Sequence, residues 1–485
     1  MSLKKQALSA ARWTTLAMVG KAGLQFVQLA VLARFLAPGD FGLMALVGAV
    51  ILFTQIFSDA GVSNAIIHRQ DISRSQLAGL YWLNVGVSSA LMLGLILASP
   101  LLASLYHEPR LQNLLIWVST TLLINAISQQ WRILAEKELL FDKLARIELG
   151  AAGLGFTTAC LMAINGAGVY SLVAGALVSS LTQTALAWLL LKPEWLPLQH
   201  SKWAEIRSFV GFGAYMVGNN LLNTFTTQAD ILLGGRLLGS ASLGQYSVPR
   251  ELSLRLGNLL NPIVTRVGFP VMSKAQGDQA QLQRVYLKTL RMTASVNFPL
   301  YLAMSLFAPE IVALLLGPSW VQSADLLRIL ALWGMVRATA NPSGSLIFAV
   351  GRADLAFKWN LGLAFAMTPA LWFGSHYGNT GLALALLLSQ TLLIIPAWAI
   401  LIRPLCGAGF AAYHAQLLVP LVLGLAATTA AWLAALPLEN TIARLAAGLS
   451  VGLISYIGLS RQFNREWFAT VLELVSKSHK SNTPP

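Results

Sequence analysis

Between Asn219 and Thr265 apolar and polar positions alternate with a period of about 3.6, which predicts two helices separated near Gly239-Ser240. The first carries Asn219, Asn223, Thr226, Thr227 and Asp230 on one face. The second places Ser247, Arg250, Glu251, Arg255, Asn258, Asn261 and Thr265 opposite Leu252, Leu256, Leu259, Leu260, Ile263 and Val264. The same pattern along the chain predicts fourteen apolar stretches, at about 12–35, 41–64, 77–104, 112–134, 145–165, 168–191, 209–235, 242–267, 287–309, 325–349, 355–376, 379–402, 411–436 and 440–460. Each reaches the roughly 20 residues needed to cross a bilayer. Lipid does not solvate ionisable groups, so those at this depth must face water, a ligand or a partner. The expected fold class is an all-α polytopic membrane protein with a polar, partly charged cavity. Segments 129–146 and 461–480, which mix Trp131, Leu134 and Phe141 or Trp467, Phe468 and Leu472 with charges, are expected to be interfacial helices.

Composition narrows the class. Of 485 residues, 56% are hydrophobic and only 11% charged, with mean hydropathy +0.65, against about 25% charged in soluble domains. The net charge of +14 reads as a topology signal and not as a nucleic-acid footprint. With the N-terminus inside, inner loops and tails hold most of the 33 basic residues. The outer side has Arg34, Arg110, Arg236, Arg328 and Arg444, while Lys21, Arg250, Arg255 and Arg337 fall within spans. Both termini are then cytoplasmic, and the first span is uncleaved. Cys160 and Cys406 imply no disulfide framework.

The chain also repeats at an offset of 202. Arg34-Phe35-Leu36 with Gly42 matches Arg236-Leu237-Leu238 with Gly244, and Lys21, Gln28 and Asp59 pair with Asn223, Asp230 and Asn261. Six spans per unit give the two copies one orientation, with a pseudo-two-fold along the membrane normal. The expected division is an N-lobe over 1–200, a C-lobe over 201–405, two extra spans over 406–462 and a cytoplasmic tail over 463–485.

Catalytic chemistry has no candidate: the six histidines lie at loops or span ends, and there is no metal-ligand spacing, nucleophile elbow or phosphate-cradling loop. No cofactor or metal is expected. Lys21, in mid-span, either lines a cavity or pairs with Asp59 or Asp230. Arg250, Glu251 and Arg255 form either an internal ion-pair network or an anion-binding wall, since guanidinium groups hold phosphate in a bidentate way. Asp59, Asp230 and Glu251 are candidates for counter-ions or for a coupling-ion site. Arg337, before Asn341-Pro342-Ser343-Gly344, either lines the cavity or fixes a break in its span. Thr14, Gln25, Gln28, Gln55, Asn219, Asn223, Thr226, Asn258 and Asn261 are the candidate polar lining. The alternative for such residues is an interhelical hydrogen bond.

The turn Leu32-Ala33-Arg34-Phe35-Leu36-Ala37-Pro38-Gly39-Asp40-Phe41-Gly42-Leu43, the group Ser58-Asp59-Ala60-Gly61 and the later Phe269-Pro270-Val271-Met272-Ser273-Lys274 resemble the polysaccharide-type flippases of the multidrug/oligosaccharidyl-lipid/polysaccharide exporter superfamily. The similarity is strongest to bacterial lipopolysaccharide and colanic-acid-type (Wzx-like) exporters. It implies two six-helix lobes plus two extra helices, a cavity between spans 1, 2, 7 and 8, and alternating access. The implied cargo is an undecaprenyl-pyrophosphate-linked oligosaccharide moved to the periplasmic leaflet of the bacterial inner membrane. Lys21, Arg250, Arg255 and Arg337 would bind the pyrophosphate, although Glu251, Asp59 and Asp230 share their faces. Partners would be membrane lipid, this substrate and polysaccharide polymerase or assembly proteins, with no nucleic acid. Rival readings are a peptidoglycan-precursor flippase or drug/cation antiporter of the same superfamily, and, from another class, a membrane-embedded glycosyltransferase or ligase. An antiporter favours an aromatic, acidic cavity, and a transferase a substantial outer loop with catalytic residues; neither matches this pattern.

Overall fold

Backbone amides in a bilayer must be satisfied within the chain, so long apolar runs fold as helices. The computed structural model describes residues 3–59, 66, 72–191 and 203–480, without the side chains of 3–11, 59, 203–216, 219, 263–267, 471 and 474–480. Among the described residues there is no strand. The helices are α1 (Leu3–Phe35), α2 (Pro38–Asp59), α3 (Arg74–Tyr106), α4 (Arg110–Lys137), α5 (Phe141–Ile164), α6 (Val169–Leu191), α7 (Trp203–Lys274), α8 (Gln279–Leu306), α9 (Ala308–Leu315), α10 (Ser323–Thr339), α11 (Asn341–Ala349), α12 (Ala353–Ser375), α13 (Gly378–Cys406), α14 (Phe410–Ala435), α15 (Thr441–Phe463) and α16 (Arg465–Lys480). Nine of these described helices are long and apolar enough to cross a membrane, or ten with the bent pair α8–α9. The other expected spans fall on α7, α10–α11 and α12, where polar side chains interrupt the apolar run. The chain is an all-α, multi-pass membrane protein.

Local chemistry sets the helix ends. Ser73 and Gln76 form a reciprocal capping box at α3. Asp278 caps α8 by accepting from the Gln281 amide, and Asn440 caps α15 by accepting from the amides of Ile442 and Ala443. The expected break in α7 falls at Gly239, with φ +79° and ψ 169°, a region open essentially to glycine alone. The break expected after Arg337 falls between α10 and α11, with Pro342 in the first turn of α11. Segment 129–146 is not a separate interfacial helix. α4 runs through it to Lys137, a tight turn with Leu139 at φ +60° follows, and α5 starts at Phe141. α16 is a separate helix, with Trp467 edge-on to Tyr456 at 5.6 Å.

Two compact units result: Met1–Ser247 with Leu363–Asn379, and Val248–Gly362 with Thr380–Pro485. In the first, α5 and α6 approach through small residues. A side chain on Gly155 would stand 2.8 Å from the Gly175 carbonyl, and one on Gly175 2.8 Å from Ala159 Cβ. Polar bonds join neighbouring helices: Thr184 Oγ1 donates to Ile124 O at 2.8 Å, and Gln130 Nε2 to Leu77 O at 2.8 Å. In the second unit, Ala294, Phe298, Tyr301, Ala331, Met335 and Ala338 form a core between α8 and α10. Buried Asn464 links α15 to α8, accepting from Arg291 Nε and donating to Ser295 Oγ, each at 2.8 Å.

Candidate functional site

Within the first unit the two copies of the sequence repeat meet at matching positions. A methyl on Gly42 would overlap the Ser240 carbonyl, and one on Gly244 would overlap the Pro38 carbonyl. Only glycine lets the first turn of α2 and the start of the second arm of α7 cross at this separation. The neighbouring turns fasten to the same place. Ser240 Oγ donates to Glu108, Arg236 Nη1 donates to His107 Nδ1 at 2.8 Å, and Asn379 Nδ2 donates to Ser242 O at 2.8 Å. Arg110 lies 3.6 Å from Asp40. Because Arg236 can only donate, His107 accepts through an unprotonated Nδ1.

Lys21 of α1 is nearly half exposed, with Nζ 4.0 Å from Glu148 Oε2 of α5. Among the described residues its ion-pair partner is Glu148, and not Asp230, one of the two carboxylates offered as the alternative to cavity lining; the Asp59 side chain is not described. The pair is long and open, so the ammonium keeps donors for a further acceptor. Asp230 is buried and accepts from Tyr246 Oη at 2.7 Å, a bond between the two arms of α7. Of the expected lining, Gln55 and Asn223 are exposed, whereas Thr14, Gln25, Gln28 and Thr226 are partly buried. Thr226 turns its hydroxyl back onto Asn223 O at 2.9 Å. The side chains of Asn219 and Asp59 lie outside the described residues.

Two of the candidate cations, both in the second unit, lie at one indole. Arg250 Cζ lies 5.8 Å and Arg337 Cζ 5.5 Å from the Trp333 ring centroid. Arg250 is 5% exposed and Trp333 2%. The ring's negative face attracts a cation, so a single Trp seats two guanidinium groups whose charges repel each other. The wall beneath is close-packed. Tyr301 Oη donates to Ser253 O at 2.7 Å, and a side chain on Gly334 would meet the Tyr301 ring at 2.6 Å. Arg255 Nε donates to Glu251 Oε1 at 3.0 Å, one turn apart on α7. Asn258 is exposed. Asn261, expected among the lining residues, is instead buried, donating to Ala338 O at 3.1 Å and accepting from Asn297 Nδ2 at 3.2 Å. Its amide fastens α7 to α10 and α8, the structural alternative for an amide in a span.

Trp333 and Glu148 were missed from sequence. Trp333 precedes Arg337 by four residues on α10, one helical turn, and that spacing was a readable signal. Nothing local connects Glu148 to Lys21. Among the described residues no group of three or more His, Cys, Asp or Glu is placed to hold a metal ion. The candidate side chains present guanidinium, ammonium, amide and hydroxyl groups.

Comparison with known proteins supplies the family context. The family described as "Polysaccharide biosynthesis protein" matches residues 31–325. The lipopolysaccharide biosynthesis protein WzxC of Escherichia coli K12 is 31% identical over 444 residues, 91% of this chain and 90% of the relative. The succinoglycan biosynthesis transport protein ExoT of Rhizobium meliloti is 25% identical over 76% of this chain and 74% of its own. Among solved structures, the lipid II flippase MurJ in an inward closed conformation superposes with a TM-score of 0.75, covering 95% of this chain and 99% of its own, at 12% identity. That likeness concerns the fold.

Proposed function

Because this chain belongs to the polysaccharide biosynthesis protein family, we propose that it is a flippase for oligosaccharide units carried on undecaprenyl pyrophosphate, moving them from the cytoplasmic to the periplasmic leaflet by alternating access. It is a multi-pass membrane transporter, not an enzyme, and serves polysaccharide biosynthesis. In our reading both termini are cytoplasmic, six-span lobes over 1–200 and 201–405 are followed by two extra spans, and polymerase or assembly proteins take up the product.

The observation that carries this reading is the pair of guanidinium groups seated on the buried Trp333. An anion in low dielectric is stabilised only by paired charge and directed donors. Pyrophosphate suits two adjacent guanidinium groups as a doubly bidentate acceptor; Arg255, in the same unit, and Lys21, in the other, are the further candidate donors. Bare sugar hydroxyls would each cost on the order of a few kcal/mol in hydrocarbon. The exposed Gln55, Asn223 and Asn258 offer replacements for their water. An inside-negative potential would assist outward movement of the anion by about 2.3 kcal/mol per charge per 100 mV for a complete crossing.

The test is purified protein in liposomes with a lipid-linked oligosaccharide in one leaflet, followed by its appearance in the other, with and without an imposed potential. Protein-dependent flipping is expected. Arg255→Ala and Lys21→Ala are expected to lower it at least about tenfold, the loss of one or two charge-assisted hydrogen bonds, while the protein still inserts. Normal flux from either variant at matched amounts removes that residue from the cargo path. Sugar transfer to an acceptor in place of flipping would overturn the transporter reading.

A further inference from the structure

At Phe307 the chain turns by 73° from α8 into the short helix α9. This corner leaves a cavity of about 510 Å³ in the second unit, with Phe307, Glu310, Arg328, Trp432, Thr441 and Arg444 in its wall. The volume falls within the range of roughly 300–1,000 Å³ typical of small-molecule sites. Arg444 Nε donates to Glu310 Oε1 at 2.8 Å, and its Nη1 to Leu438 O at 3.4 Å. Arg328 Nη1 donates to Asp325 Oδ1 at 2.8 Å. Each guanidinium carries five N–H groups, so both keep donors beyond these bonds. Each guanidinium is balanced by a carboxylate, Arg328 by Asp325 and Arg444 by Glu310, so what the wall offers an anion is their remaining N–H donors.

The surroundings narrow the ligand. Leu314, Leu433, Leu436 and Ile442, beside these positions in sequence, are 42–62% exposed, and Trp432 itself is 44% exposed. On the helices of a membrane protein, such surface meets acyl chains. An occupant that meets acyl chains on one side and two guanidinium groups on the other is both apolar and anionic. A tie between α9 and α15 accounts for the Arg444–Glu310 pair alone. It leaves the open volume, and the Arg328 donors beyond its Asp325 pair, unexplained.

We propose that this cavity binds the phosphate of an anionic glycerophospholipid. Arg328 and Arg444 donate to the phosphate, Thr441 offers its hydroxyl to the glycerol region, and Trp432 lies where headgroup meets chain, the level that Trp favours in bilayers. On the orientation proposed above, this is an outer-leaflet site. It does not depend on which glycan the protein carries.

The experiment uses the full chain in nanodiscs of phosphatidylglycerol and phosphatidylcholine in equal parts, released for native mass spectrometry. Wild type is expected to retain phosphatidylglycerol in preference to phosphatidylcholine. Arg328→Gln, which leaves the Arg444–Glu310 pair intact, should reduce that retention about tenfold, the loss of a charge-assisted bond. The double change Arg444→Gln with Glu310→Gln should do the same without stranding a half-buried carboxylate. Equal retention of the two lipids, or retention unchanged in both variants, overturns the site. Displacement of the retained lipid by glycerol 3-phosphate at equal concentration would assign the cavity to a soluble phosphate and overturn the lipid assignment.

Discussion

Trp333 shows how one side chain can prepare two others. Arg250 and Arg337 come from different helices, and the indole gives both a shared aromatic contact. A desolvated cation–π contact contributes about 0.5–2 kcal/mol. Losing both contacts in Trp333→Leu should raise the cargo concentration for half-maximal flux by about tenfold and leave the maximal rate less affected. Trp333→Phe keeps an aromatic face and should stay near wild type. Equal losses in the Leu and Phe variants, at equal amounts in the membrane, would show that the ring merely fills space. The sequence made the arginines visible because charge at membrane depth is rare, but it concealed what holds them. Lys21 was legible for the same reason, and its partner Glu148 was not, since that pairing depends on how α1 packs against α5.

At the level of elements, glycines mark where helices must approach or bend. Gly42 and Gly244 admit no side chain because the carbonyls of Ser240 and Pro38 occupy that space, whereas nothing lies within 4 Å of a side chain placed on Gly48 of the same α2. Gly42→Ala should destabilise the protein by about 1–3 kcal/mol through overpacking. Gly48→Ala should be neutral or add up to about 1 kcal/mol from helix propensity. Gly239→Ala should resemble Gly42→Ala for a different reason, the strain of its backbone region at about 1–3 kcal/mol. Thermal unfolding in detergent should therefore rank Gly48→Ala above wild type or level with it, and the other two below. If Gly42→Ala unfolds with wild type, the crossing is looser than its geometry. The elements themselves were largely readable: every expected span falls on a helix where the chain is described, and the breaks at Gly239 and before Pro342 were marked by their residues. The expected interfacial helix at 129–146 failed because aromatic and charged residues mixed in one stretch also describe two helix ends and the turn between them. Asn261 failed as a lining residue because its periodicity is the same whether its face meets a cavity or another helix.

For the molecule as a whole, the meeting of Gly42 with Gly244 joins the repeat to the mechanism. Positions related by an offset of 202 lie against each other, as they do when a two-fold axis passes between them. The bonds with Glu108, His107 and Asn379 converge on the same break, so packing and polar ties meet at this place in the first unit. Alternating access requires one such end to part in each cycle. Gly39 and Ala241 flank the crossing, and a side chain on Gly39 would stand 3.8 Å from the Ala241 Cα, so cysteines at the two positions would be near neighbours. The pair Gly39→Cys with Ala241→Cys, in a chain whose Cys160 and Cys406 are replaced by serine, should cross-link on oxidation. Cargo flux in liposomes should then fall to the protein-free level and return on reduction, while either single variant stays active under oxidant. Undiminished flux at complete cross-linking would mean that cargo leaves without this crossing opening, and the path would have to be sought elsewhere in the bundle.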